Sequence, residues 1–353
     1  MRNFAGLPFD GVEFRKVWDA NKILSFLKFK LAGKVDYQLL NRFHDYGLGK
    51  VDLFHFFNTL TPSKRPWIVT FETTLPRLEP AFEKGYEWMA ASSCKRLIAI
   101  TRRSYDAQLH LLRGRVDYEE VIRDKMMILP PSQPLLLDDL GSKDFDGELR
   151  MVFVGRDFYR KGGWELLRAF ELLKAEGLPV RLTIVSDLNR TGFKDGYITP
   201  EIESKVVELL SSNPMIEYHR SLPNEEVLAL LKKAHIGILP SWHETYGYFL
   251  LEAMACGCAV VAPNVSPFPE FLSEKCGWLL DVDTYSVDGA EGSDPTEENQ
   301  IRMIGAIKDT VVSAFSDRAG LYAKCQYSLD MIRMNHDPLV AAGALTKVYQ
   351  EVL

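Results

Sequence analysis

From Leu149 onward, short apolar runs alternate with amphipathic stretches, and this alternation constrains the fold more than any other feature of the chain. "LRMVFVG" (Leu149–Gly155) reads as a strand ending in glycine, and "WELLRAFELLKAEG" from Trp164 as a helix closed by Gly177. "VRLTIVS" (Val180–Ser186) is the next strand, and "EIESKVVELL" after Pro200 the next helix. "MIEYH" (Met215–His219) and "IGILP" (Ile236–Pro240) read as strands around the helix "NEEVLALLKKA", capped by Asn224. "HETYGYFLLEAMACGCAVVAP" (His243–Pro263) reads as a buried helix and then a buried strand, and "GWLLDV" (Gly277–Val282) as the last strand. Apolar strands joined by amphipathic helices pack as a parallel sheet covered on both faces. In such a sheet the ligand site lies at the C-terminal ends of the strands.

A chain of 353 residues is too long for one ordinary core. In the first half, "VDLFHFF" (Val51–Phe57), "WIVTFE" (Trp67–Glu72), "RLIAI" (Arg96–Ile100) and "MMILP" (Met126–Pro130) read as short buried strands. Helical patterns occupy Glu79–Ser92 and Arg102–Leu112 between them. The segment Pro130–Glu148, rich in Pro, Gly and Asp, reads as a linker. The expected organisation is a Rossmann-like domain over 1–145, a second over 146–335, and a C-terminal helix in 336–353 that packs back toward the first. Asp281–Asn299, acidic and turn-rich, reads as a solvated loop.

A net charge of −6 argues against a dedicated nucleic-acid binder, which is usually basic. Five cysteines make no even framework and no signal peptide opens the chain, so buried thiols in a reducing cytoplasm are expected. No apolar run reaches the length of a membrane span. The seven histidines show no paired metal spacing, and no Asp-x-Asp pair ends a phosphate-loop strand; Asp281 and Asp283 precede a distant loop. No metal or other cofactor is expected.

Two loops carry candidate chemistry. In "GRDFYRKGG", Arg156 and Lys161 lie between Gly155 and further glycines just before a helix. Backbone N–H groups, the helix dipole and two cations there make an anion site; the alternative is an ordinary solvated turn. In "SWHETYG" and the helix it enters, Glu244 precedes the helix and Glu252 lies about two turns inside it. Buried carboxylates need partners, and a carboxylate is an acceptor pair suited to sugar hydroxyls. A purely structural pair bridging helices is the alternative.

Met151–Leu280 resembles the retaining GT-B glycosyltransferases of family 4. The matching features are the "GR…KG" loop, the "PS…E…G…LEAMACG" block with seven residues between its glutamates, and "VVAPNVSPFPEFL". "VDLFHFFN", "WIVTFE" and "RLIAIT" match the family's first half more loosely. The resemblance implies the GT-B fold, two Rossmann-like domains facing across a cleft, with a nucleotide-sugar donor between them. Carried over, Arg156 and Lys161 bind the donor diphosphate and Glu244 the transferred sugar. Tyr246, Gly247 and Tyr248 offer backbone N–H groups, and Glu252 holds the ribose. The implied activity is retaining and metal-independent transfer to a glycan, lipid-linked or small-molecule acceptor.

The sequence departs from the family in two places. Where such enzymes often carry a histidine after a strand of the first domain, this chain has Phe71 and Glu72; Phe71 is expected in the core, and Glu72 is the candidate replacement. The family's glycine-rich loop is not evident within Met1–Gly33. "KILSFLKFKLAGK" (Lys22–Lys34) mixes lysines with apolar residues, and Arg96, Arg102, Arg103, Arg113 and Arg115 fall close together. These suit a peripheral contact with an anionic membrane at its cytoplasmic face, or else a core strand with solvated helix faces. The rival functions are a non-catalytic subunit binding a glycan or nucleotide-sugar, and another GT-B enzyme such as a nucleotide-sugar epimerase.

Overall fold

The chain divides into two units, Met1–Ser132 with Pro338–Leu353, and Gln133–Asp337. The computed structural model describes every residue except 1–3, 5, 34, 45, 48–50, 79–80, 142, 190–196 and 283–295.

The first unit contains α1 (Ala20–Ala32), α2 (Tyr37–Leu40), β1 (Phe54–Phe57), β2 (Trp67–Phe71), α3 (Phe82–Ala90), β3 (Cys94–Ala99), α4 (Arg102–Leu112), α5 (Glu119–Arg123) and β4 (Met126–Ile128). Its four strands pair in parallel in sequence order, β1-β2-β3-β4. Period-two alternation divides β2 between two faces. Trp67, Val69 and Phe71 pack with Tyr86, Met89, Leu97 and Leu112, whereas Ile68 faces the opposite side with Ile98. Helix α4 starts at Arg102 because the Thr101 hydroxyl accepts the Ser104 N–H at 2.9 Å, an N-cap. Of Lys22–Lys34, Lys34 lies outside the described residues and the rest is no core strand; nearly all of it lies in α1, which turns its apolar side chains outward. The suggested arginine patch is spread over β3, α4 and the loop beyond, and much of it is paired: Arg96 with Glu351 at 3.2 Å, Arg115 with Glu83 at 2.7 Å.

The second unit contains β5 (Leu149–Val154), α6 (Gly163–Lys174), β6 (Val180–Val185), α7 (Pro200–Ser212), β7 (Ile216–His219), α8 (Asn224–Lys233), β8 (Ile236–Ile238), α9 (Tyr248–Ala255), β9 (Ala259–Pro263), β10 (Gly277–Leu280), α10 (Glu297–Ser316) and α11 (Arg318–Asn335). The strands form a six-stranded parallel sheet in the order β10-β9-β8-β5-β6-β7. The order reverses between β5 and β8, paired through Met151 with Ile236 and Val152 with Gly237. The crevice outside such a reversal is where doubly wound sheets bind ligands.

Three expectations change here. Asn224 is the first residue of α8 rather than its cap; Pro223 holds the cap position, with no side-chain cap bond. Pro130–Glu148 is not a free linker: the Leu136 and Leu137 N–H groups donate to Ala255 O at 2.9 and 3.1 Å, and the buried Lys143 ammonium donates to Leu231 O at 3.1 Å. The break therefore falls after Ser132 and not at 145, because this segment's backbone and side chains are satisfied by the second unit. Of the acidic stretch Asp281–Asn299, residues 283–295, with Asp283, lie outside the described residues, and Glu297–Asn299 already belong to α10, capped by Thr296.

Helix α12 (Pro338–Val352) returns to the first unit, where Leu345, Val348 and Tyr349 pack on Ile68, Ile98 and Phe4. The Tyr349 hydroxyl lies 2.8 Å from His55 Nδ1, and His55 Nε2 lies 2.8 Å from the Thr70 hydroxyl. Burial holds the His55 imidazole down to about 3, so it stays neutral and serves as a polar rivet between α12 and the sheet. All five cysteines are buried and free.

Candidate functional site

Two loops leave the sheet at the β5/β8 reversal, one after each strand. The first runs from Gly155 to Gly162 and enters α6; the second runs from Leu239 to Gly247 and enters α9. They are laced together. The Trp242 N–H donates to Arg160 O at 3.0 Å, Arg160 Nη1 donates to His243 O at 2.8 Å, and the Ser241 hydroxyl donates to His243 O at 2.9 Å. Arg160 is in turn held by Asp157.

Glycine sits at both helix entries for steric reasons. Gly162 has φ of +75°, and a Cβ there would lie 1.9 Å from Pro240 O. Gly247 has φ of +87°, and a Cβ there would lie 2.6 Å from the Phe268 ring. Any other residue at either place would be strained in its backbone and would push the loops apart.

This lacing brings Lys161 and Glu244 into a direct ion pair, their side chains 17% and 6% exposed. The sequence alone suggested that a ligand satisfies Glu244. In the structure Lys161 supplies its counter-charge. Burial and the Arg160 charge push the Lys161 ammonium down to about 7, while Asp157 pulls it up. Gly155 lies under the Lys161 stem, where a Cβ would approach Cγ to 3.0 Å. Arg156 stands exposed at the start of the loop.

Tyr246 is buried and stacks on Phe271 with ring centroids 5.4 Å apart and planes 9° from parallel. Desolvation, with the Tyr248 and Glu270 charges, holds its phenol well above its usual range. Tyr248 opens α9 with its ring 5.1 Å from that of Tyr246. Glu252 is the fifth residue of α9, one turn inside the helix and not two, and is only half-buried. Of the two glutamates, only Glu244 is a buried carboxylate.

Sequence reasoning missed a third carboxylate. Glu165, in the first turn of α6, is fully buried and accepts the Tyr197 hydroxyl at 2.6 Å. Burial raises its carboxyl to about 6, against the pull of Tyr197 and the neighbouring Trp242 indole. Trp242 belongs to the loop that carries Glu244, but its indole N–H and the second Glu165 oxygen make no hydrogen bond among the described residues.

Glu72 belongs to the first unit, directly after β2. Its Oε1 accepts from Asn58 Nδ2 at 3.1 Å and lies 3.7 Å from Arg77 Nη2, while its N–H donates to Asn58 Oδ1 at 3.2 Å. The Ser104 hydroxyl fixes its carbonyl at 2.6 Å. Arg77 also lines a cavity of about 640 Å³ in this unit, with Tyr37, Asn41, Phe82, Tyr86 and Arg115. Phe71 is fully buried in the core.

A family model described as glycosyl transferases group 1 matches residues 141–290, the stretch that holds both loops. Over this stretch the chain is similar to the group 1 glycosyl transferases. The D-inositol 3-phosphate glycosyltransferase of Rhodococcus erythropolis is 25% identical over 285 residues, 75% of this chain and 62% of that protein. The alpha-maltose-1-phosphate synthase of Mycolicibacterium smegmatis is 29% identical over 174 residues, 49% of this chain and 40% of that protein. The chain thus spans less than two thirds of the length of these curated relatives. Among solved structures, a glycosyltransferase from Rickettsia africae has a TM-score of 0.57 at 14% identity, covering 94% of this chain and 80% of its own. Anabaena HepE in complex with UDP and glucose has a TM-score of 0.55 at 14% identity, covering 85% and 78%. These likenesses show the α/β GT-B fold.

Proposed function

We propose that the chain is a retaining, metal-independent glycosyltransferase that takes a nucleotide-sugar donor. The observation that carries this reading is the meeting of Lys161 and Glu244 at the sheet reversal, between the N-termini of α6 and α9. A cation, two helix N-termini and a buried carboxylate on one spot suit a ligand that is a diphosphate at one end and a polyol at the other. The UDP and glucose bound by HepE, a protein of the same fold, support that choice of ligand.

In this reading Lys161 and Arg156 bind the diphosphate and stabilise the charge that builds on it as it leaves. Two side-chain cations then do what a divalent metal does in other transferases. Glu244 exchanges Lys161 for the hydroxyls of the transferred sugar, and Glu252, half-buried one turn along α9, takes the ribose hydroxyls. Backbone N–H groups of Tyr246, Gly247 and Tyr248 face sugar and phosphate. The acceptor attacks from the face the diphosphate leaves, so no protein nucleophile is needed. Glu72 orients the acceptor hydroxyl, and the cavity that shares Arg77 with it holds the rest of a glycan or lipid-linked acceptor. A cytoplasmic setting fits the five buried free thiols.

Thermal-shift screening against a panel of nucleotide-sugars tests the reading, because a ligand bound only by the folded chain raises its apparent stability. One nucleotide-sugar should stabilise the chain and be hydrolysed slowly without acceptor, with or without EDTA. No stabilisation by any member of the panel would sink the proposal, and activity restored only by Mn²⁺ after EDTA would sink its metal-independent part.

A further inference from the structure

Helix α1 is built inside out. Its buried positions are the polar Asn21 and Ser25, while Ile23, Leu24, Phe26, Leu27, Phe29 and Leu31 are exposed. The orientation is held by hydrogen bonds. Asn21 Nδ2 donates to Arg42 O at 2.9 Å, and the Ser25 hydroxyl donates to Asp36 O at 3.3 Å. Asp19 caps the N-terminus by accepting the Asn21 N–H at 3.2 Å, and Gly33 closes the C-terminus. A helix of a water-soluble unit ordinarily turns such leucines and phenylalanines inward. Here the polar face is the one docked.

The outward face is ordered. Ile23, Leu27 and Leu31 follow one another at intervals of four residues and so form one line, with Phe26 and Lys30 in the adjacent row. Leu31 is 88% exposed and Phe26 is 56% exposed. Trp18, just before the cap, is 85% exposed and extends the apolar face beyond the helix. Lys22, Lys28 and Lys30 are the only ionisable residues within α1; Lys22 lies 3.7 Å from Asp19 and Lys28 2.9 Å from Asp36, so Asp19 and Asp36 offset part of the charge, while Lys30 stands over the apolar face on a chain whose net charge is −6. Lys30 lies 5.1 Å from the centroid of the Phe26 ring, its stem along the apolar face and its charge at the rim.

We propose that α1, with Trp18, is a docking surface for an anionic lipid bilayer. The helix would lie in the plane of the interface, with Ile23, Leu27, Leu31 and Phe26 in the acyl boundary. Trp18 would sit at headgroup level and the lysines among the lipid phosphates. Charge selects this occupant: an apolar face edged by Lys22 and Lys30 on an anionic chain fits an anionic surface, whereas a second copy would bring the same lysines against these.

Vesicle flotation of the full chain tests the proposal, with phosphatidylcholine vesicles and with vesicles that also contain phosphatidylglycerol. The chain should float with the mixed vesicles and not with phosphatidylcholine alone. Leu27→Glu/Leu31→Glu should lower the floated fraction at least about tenfold, with the melting temperature unchanged because both positions are exposed. Lys22→Glu/Lys30→Glu should erase the preference for the anionic vesicles. A chain that stays out of both vesicle fractions overturns the proposal. So does a dimer in sedimentation velocity that Leu27→Glu/Leu31→Glu dissolves, since a second copy would then cover the face.

Discussion

The Lys161–Glu244 pair makes a prediction that needs no substrate. Lys161→Met keeps most of the stem volume and removes the charge, leaving the Glu244 carboxylate buried without this cation. Breaking a buried pair from one side costs about 3–5 kcal/mol, and because Lys161 keeps some exposure the lower end, about 3 kcal/mol, applies. In a unit of this size that is a fall of about 6–12 °C in melting temperature. Glu244→Gln is not the mirror image. The ammonium it strands is already pushed down to about 7, so it can shed its proton near neutral pH, and the cost should be smaller than that of Lys161→Met. The double variant buries neither charge and should lie at least about 1 kcal/mol above the sum of the singles. Urea unfolding followed by tryptophan fluorescence measures all three, since Trp242 is buried in the same loop. Additivity within about 0.5 kcal/mol would refute the pairing as an energetic unit. Equal losses in the two single variants would refute the asymmetry drawn from burial.

Three further outcomes are expected. Glu165 is raised from the usual 4.5 to about 6, so between those values the native state holds a proton that the unfolded chain has lost, and stability falls as pH rises through that window. Glu165→Gln should remove this slope and gain about 2 kcal/mol near neutral pH; calorimetric melts of the two proteins that stay parallel from acid to neutral pH would show the carboxyl is not the cause. Gly162→Ala should cost more than about 2 kcal/mol, because the new methyl meets the Pro240 carbonyl and the backbone resists φ of +75°; a melting temperature equal to wild type would contradict the close approach. Glu72→Gln keeps an acceptor for Asn58 but removes the charge beside Arg77, so under the proposed function turnover should fall at least about tenfold, or roughly 1.4 kcal/mol, with melting unchanged. Wild-type turnover would assign Glu72 to a structural role with Asn58 and Arg77.

What was legible in the chain, and what was not, follows from where each signal is stored. The strands of both units were legible because parallel strands are buried on both faces and read as apolar runs, and the loops after β5 and β8 because glycines and charges interrupt those runs. Both members of the Lys161–Glu244 pair could be named from their loops, but not their contact. They are 83 residues apart, and only the sheet order that sets β8 beside β5 brings them together. Glu165 was illegible for a different reason. A glutamate inside "WELLRAF" reads as the solvent side of an amphipathic helix, and its partner Tyr197 lies 32 residues on. Helix α1 was left between two readings, an outward apolar face and a core strand, because the contacts that decide it are side-chain bonds from Asn21 and Ser25 to the carbonyls of Arg42 and Asp36, 21 and 11 residues away. Each of these three concerns a polar group whose partner lies outside its own segment. Apolar burial is a property of one segment and shows in its pattern, whereas polar satisfaction belongs to a pair, so the chemistry of this chain becomes readable only once the sheet has set its neighbours.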